Sequence, residues 1–304
     1  MHDIIIIGGG PAGLTAGLYA GRAKLKTLLI EQMVAGGQAA TTDLLENYPG
    51  APEGSTGPDL TERMEEQAKK FGCEFVMGEV TGVDLSGKEK VVTTNVGEFK
   101  SKAVIITSGA THRKLGCPGE EDLIGGGVSF CATCDAAFFE DLPVAVVGGG
   151  DSAISAAIYL TKFASRVYVI HRRDALRATK VVQEKAFANP KIEIVWDSVV
   201  DEIKGSETVE ALKLKNVKTG EFSELPVDGV FMYIGLVPNT KFLQGQVKIN
   251  PAGYIPVTAN METDVPGVFA AGDVTAKLLR QVVTAVGDGA TAAVAAEKYI
   301  EDNF

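Results

Sequence analysis

Apolar residues arrive along this chain in short unbroken runs that stop at glycines. Ile4-Ile-Ile-Ile7 meets Gly8-Gly-Gly10, and Val144-Ala-Val-Val147 meets Gly148-Gly-Gly150. Such runs read as strands buried on both faces, as in a parallel sheet. After each bend the pattern becomes that of an amphipathic helix, followed by a short basic turn and a second apolar run. Residues 8–31 lie against residues 148–171 without a gap, so the strand–bend–helix–strand unit occurs twice. Lys102–Ala110 and Val268–Val274 read as strands ending in small-residue turns that bring backbone near a ligand, the first at Gly109 and the second at Gly272. Lys88–Lys100 and Glu210–Val227 alternate around glycine turns and predict antiparallel flaps, and a small-residue helix runs from Arg280 toward the C-terminus.

The pattern predicts an α/β protein of two Rossmann-like, three-layer dinucleotide-binding domains, the second inserted into the first. The first would comprise residues 1–114 and 240–304, the second residues 115–239. In each bend the glycines have separate tasks. Gly8 and Gly148 permit the tight turn, and Gly10 and Gly150 let backbone approach a pyrophosphate. Gly13 and Ala153 keep helix close to strand. The copies differ where the cofactor is chosen. Glu31 closes the second strand of the first copy, where a carboxylate accepts from ribose hydroxyls; FAD or NAD fits there. His171 stands at that place in the second copy, followed by Arg172, Arg173 and Arg177, and an arginine cluster that neutralises a 2′-phosphate favours NADP.

Cys131-Ala-Thr-Cys134-Asp135 lies just before the second bend. Two cysteines so spaced are a redox dithiol, half a zinc site, or neither; no second pair completes a zinc site. Cys73 and Cys117 read as packing residues, Trp196 as a core residue of an apolar strand, and His2 and His112 as structural or exposed. Composition changes this little. With 29 basic and 39 acidic residues, net −10, a nucleic-acid partner is not expected. No apolar run reaches the roughly 18 residues of a membrane span, and four cysteines are too few for a disulfide scaffold. A soluble, intracellular protein is expected.

The ordered set of Gly-x-Gly-x-x-Gly, Gly36-Gly37-Gln38, Asn47-Tyr48-Pro49-Gly50, Cys131-Ala-Thr-Cys134-Asp135, Gly148-Gly-Gly-Asp-Ser-Ala153, His171-Arg-Arg-Asp174, Gly272-Asp-Val274 and Arg280-Gln281 resembles the low-molecular-weight, bacterial-type thioredoxin reductases along essentially the whole chain. The resemblance implies a cytoplasmic homodimer that passes electrons from NADPH through FAD and a Cys131/Cys134 dithiol to thioredoxin. It implies FAD contacts from Gly8, Gly10, Pro11, Ala12, Gly13, Glu31, Gly37, Gln38, Asn47, Gly109, Gly272, Asp273, Arg280, Gln281 and Val282. NADPH would be lined by Gly150, Asp151, Ser152 and Ala153, with His171, Arg172, Arg173 and Arg177 around its 2′-phosphate end. Cys134 would face the flavin and Cys131 the substrate disulfide, while Asp135 moves protons; read on its own, Asp135 is also a candidate helix cap. Ala136 replaces the glycine usual in that family, and Asp288 stands between glycines where threonine is more usual.

Overall fold

Strand His2–Ile7 is the axis of the first half of the structure, a computed structural model that describes residues 1–42, 45, 47–243 and 245–304. It pairs in parallel with Thr27–Glu31 on one side and Gly97–Ile106 on the other. Glu74–Met77 and Val268–Ala270 extend the parallel region outward. Lys90–Thr94 and Val80–Asp84 continue from the early part of Gly97–Ile106 as antiparallel strands, as the alternating pattern predicts. Because successive side chains point to opposite faces, Ile4 and Ile6 pack beneath helices while Ile5 and Ile7 enter a separate core. Helices Pro11–Arg22, Gly57–Lys70 and Val282–Asn303 contribute to the first of these cores. Both faces are therefore apolar, and the run is unbroken.

The second half repeats the plan. Pro143–Gly148 lies between Arg166–Ile170 and Gly229–Tyr233, with Ile192–Val195 and Val128–Ser129 outside them, all parallel. Helices Asp151–Leu160 and Lys180–Phe187 pack on one face through Ile154, Ala157 and Ala186. The antiparallel sheet of Ser198–Gly205, Val209–Asn216 and Phe222–Pro226 covers the other through Ile203, Leu212 and Leu214. The two halves are compact units, Met1–Thr111 with Val237–Phe304, and His112–Leu236. The chain passes between them at Ala110–His112 and Leu236–Pro238, which pair as a two-stranded sheet. No helix among the described residues is long and apolar enough to cross a membrane.

One close approach fixes the C-terminal helix. A Cβ on Gly289 would stand 2.1 Å from Ala12 O, whereas one on Gly287 would meet nothing within 4 Å. Gly289→Val should lower stability by about 3 kcal/mol in urea unfolding, because backbone and not a movable side chain blocks the new methyls. Gly287→Ala, on the open face of the same helix, should stabilise by up to ~1 kcal/mol.

Candidate active site

In the first unit the glycine bend is held from below. Gly8 has φ +108°, and a Cβ there would lie 2.5 Å from Thr107 O. Thr107 Oγ1 donates to Gly8 O at 2.7 Å. Gly13 admits no side chain, since its Cβ would fall 1.9 Å from Gly8 O. Gly10, by contrast, faces open space, and helix Pro11–Arg22 starts beyond it with no side-chain cap. The first amides of that helix are thus left to an anion or dipole in the space over Gly10. Glu31 closes the next strand, accepting from Gly9 N at 2.6 Å and Met33 N at 3.1 Å. Its remaining lone pairs stay available to hydroxyl donors. Gly37, with φ +54°, packs near Gly10 Cα and begins the short Gly37–Thr41 helix that includes Gln38.

The returning C-terminal segment adds the other side. Gly272 (φ +78°) lies against Ala12 and donates from its N to Asp288 Oδ2 at 3.0 Å. Asp288 also pairs with Lys277. Burial pushes the Asp273 carboxyl above its ordinary range, against the pull of Lys277 and Arg280, and its Oδ1 is buried without a partner among the described residues. Arg280 stacks 4.0 Å over the Tyr254 ring. Asn47 Nδ2 donates to Gln281 Oε1 at 2.9 Å, joining two distant motifs. Gln281 caps the helix beginning at Val282. Gly109 (φ +63°) is held by Asn239, whose N donates to Gly109 O at 3.0 Å.

The second unit reproduces the bend with different chemistry. Gly150 again faces open space before the uncapped helix Asp151–Leu160. Ser152 is exposed in its first turn, and Ala153 packs beneath Gly148. Asp151 Oδ1 accepts from Thr179 N at 2.8 Å and ties down the loop that follows Arg177. His171 is buried against Gly149, where a Cβ would meet its ring at 2.4 Å. Burial holds His171 below its ordinary pKa, and repulsion from Arg177, Arg173 and Arg172 adds to this, so the ring is a neutral spacer. The three arginines are exposed and, among the described residues, have no ion-pair partner. Trp196 is not a core strand residue: it occupies a half-buried turn, edge-on to His171.

Cys131 and Cys134 form a disulfide with Cα atoms 5.3 Å apart. Cys131 precedes the one-turn helix Ala132–Asp135, and its Sγ accepts from Cys134 N at 3.2 Å. Cys131 therefore caps this helix, while Asp135 ends it and stands at the capping position of the next short helix, Ala136–Phe139, without a side-chain capping hydrogen bond. Ser129 Oγ accepts from Cys131 N at 3.0 Å, and Tyr233 Oη accepts from Ala132 N at 3.0 Å. Cys134 is exposed and Cys131 half-buried. Ala136 sits at φ −55°, where alanine is unstrained. Ser129 and Tyr233 are not marked by the sequence, and Asp288 is marked only as a charge between two glycines, with no partner implied.

Two dinucleotide-type bends with a redox-ready disulfide define a nucleotide-dependent disulfide oxidoreductase. The model of the family described as pyridine nucleotide-disulphide oxidoreductase matches residues 2–289, and the chain belongs to that family. It is 53% identical to the thioredoxin reductase of Peptoclostridium acidaminophilum, across 100% of this chain and 98% of that protein. It is 50% identical to that of Streptomyces coelicolor, across 99% and 94%. The crystal structure of Lactococcus lactis thioredoxin reductase (FR conformation) matches with a TM-score of 0.97 and 46% identity, covering 99% of this chain and 100% of that one. The chain is an oxidoreductase of the bacterial, low-molecular-weight thioredoxin reductase type.

The remaining cysteines differ sharply from this pair. Burial in the core pushes the Cys73 thiol up to about 12, and burial with nearby Glu120 pushes Cys117 up to about 11. At pH 8 their thiolate fractions are roughly one in ten thousand and one in a thousand. Iodoacetamide after mild dithiothreitol treatment should label Cys131 and Cys134 and leave Cys73 and Cys117 unlabelled in peptide mass spectra. Raising the pH toward 11 should bring in Cys117 first.

Proposed function

We propose that the chain is a thioredoxin-disulfide reductase that takes electrons from NADPH with FAD as its resident cofactor. The observation that carries this is the Cys131–Cys134 disulfide in the same unit as an open glycine bend and three arginines that have no ion-pair partner among the described residues. We assign FAD to the unit of residues 1–111 and 237–304, and NADPH to residues 112–236. The first assignment is supported by the open Gly10 cradle, the uncapped helix amides behind it, Glu31 at the strand end, and the orphaned Oδ1 of Asp273. In this reading Gly8, Pro11, Ala12 and Gly13 shape the pyrophosphate cradle, and Glu31 orients the ribose. Gly37, Gln38, Asn47, Gly109, Gly272, Arg280, Gln281 and Val282 close around the rest. FAD, when bound, supplies two-electron exchange between a nicotinamide and a disulfide.

In the NADPH unit, Gly150, Asp151, Ser152 and Ala153 would present helix amides to the pyrophosphate. Arg172, Arg173 and Arg177 would bind the 2′-phosphate, and a neutral His171 avoids the repulsion a carboxylate would bring. Once the disulfide is reduced, the Cys131 thiolate attacks a sulfur of the thioredoxin disulfide. The Cys131–thioredoxin bond forms as the substrate S–S bond breaks, and the leaving thiolate takes up a proton. Cys134 then attacks Cys131 Sγ, releasing reduced thioredoxin and restoring the intramolecular disulfide. Cys134 N–H, aimed at Cys131 Sγ, favours negative charge there, and Asp135 would transfer the proton. The net change is NADPH, a proton and oxidised thioredoxin to NADP⁺ and reduced thioredoxin. By resemblance to its family, we place the enzyme in the cytoplasm as a homodimer.

Cys131→Ser in the flavin-loaded enzyme should lose thioredoxin-linked NADPH oxidation by at least about a thousandfold. NADPH should still bleach the yellow colour of that variant. Undiminished thioredoxin reduction by Cys131→Ser contradicts the assignment.

A further inference from the structure

The hairpin turn joining Val209–Asn216 to Phe222–Pro226 lies on the antiparallel side of its unit, yet it delivers a charge to the arginine turn. Lys218 Nζ stands 3.0 Å from Asp174 Oδ2 and 3.0 Å from Asp197 Oδ2. The hairpin tip is built to hold it there. Asn216 Oδ1 accepts from Lys218 N at 2.9 Å and Thr219 N at 3.0 Å, and Gly220 turns with φ +78°. Val217 N donates to Asp197 O at 2.7 Å, docking the tip on the turn after Ile192–Val195. Asp197 takes a left-handed φ of 51°, which Asp tolerates, and its N donates to Arg173 O at 3.4 Å. Its other carboxylate oxygen is buried without a hydrogen-bond partner among the described residues.

These two carboxylates are the ones woven into the turn of Arg172, Arg173 and Arg177. Asp174 is the sequence neighbour of Arg173, and Asp197 is bonded to its backbone. Either would be an obvious partner for a guanidinium, yet neither pairs with one among the described residues; both are engaged by Lys218. The pairing also holds the Asp174 acid below its ordinary range.

We infer that Lys218 is a positioning residue that sets nucleotide choice: by engaging Asp174 and Asp197 it keeps the arginine turn free for a 2′-phosphate. The inference rests on the NADPH reading above. A released carboxylate opposes phosphate binding twice, by competing for a guanidinium and by repelling the anion. The uncharged 2′-hydroxyl of NADH is nearly indifferent to both effects. Lys218 thus acts through its carboxylate partners and through the arginines they would otherwise occupy.

The test is steady-state kinetics of the flavin-loaded enzyme with thioredoxin, using NADPH and NADH in turn. Lys218→Met should raise KM for NADPH about three- to tenfold, leave KM for NADH within about twofold, and preserve kcat. Lys218→Arg should behave as wild type, and the double variant Lys218→Met/Asp174→Asn should recover most of the loss. That recovery distinguishes carboxylate release from damage to the hairpin. A KM for NADPH that Lys218→Met leaves unchanged, or KM values that rise equally for both nucleotides, overturns the inference while leaving the NADPH reading in place. A wild-type enzyme with no preference, unaffected by Arg173→Gln, overturns both.

Discussion

Everything in this structure is arranged around two helix starts that have no side chain to cap them. At Gly10 and at Gly150 a strand hands its chain to a helix, and the first amides are left with open space in front of them. Unpaired amides at a helix start carry partial positive charge, which makes a standing demand for an anionic group. The parallel sheets aim strand ends and helix starts at one edge, and the apolar runs Ile4–Ile7 and Val144–Val147 are needed because both faces of those strands are covered. The glycines follow from the same demand. Gly13 is required because Gly8 O lies beneath it, whereas the second copy accommodates Ala153 under Gly148.

Duplication of one mechanical unit leaves chemistry free to diverge at its margins. In the first copy the strand after the helix ends in a carboxylate, Glu31, already oriented by two backbone amides. In the second it ends in a buried, neutral His171 beside three cations. The disulfide joins the second copy through Ser129 and Tyr233, which fix the backbone of its turn without contributing a titrating group near neutral pH. One half can thus specialise in holding a cofactor and the other in exchanging a nucleotide and presenting a dithiol.

The elements legible in sequence are those whose cause is local. The repeat, the parallel strands and the flaps all follow from runs and periods within a few residues, and the cysteine motif from its spacing. What escaped was set by distant partners. Asp288 reaches Gly272 N from a helix, Tyr233 reaches Ala132 N from another strand, and Lys218 reaches the arginine turn from the far sheet. No period encodes such pairings. Trp196 departs from the strand its sequence predicts for a related reason: the apolar run ahead of it ends one residue early, and the chain turns there toward Ser198–Gly205. Asp135 stands in the capping position of the short Ala136–Phe139 helix, but its side chain makes no capping hydrogen bond there.

The central claim is that electrons from a 2′-phosphorylated nicotinamide reach the Cys131–Cys134 disulfide. Its most direct test is anaerobic incubation of the flavin-loaded enzyme with stoichiometric NADPH, followed by an acid quench and counting of alkylated peptides. New thiols are expected at Cys131 and Cys134 with NADPH, and far fewer at the same concentration of NADH. A disulfide that remains intact under NADPH, in enzyme whose flavin is present, would contradict the claim.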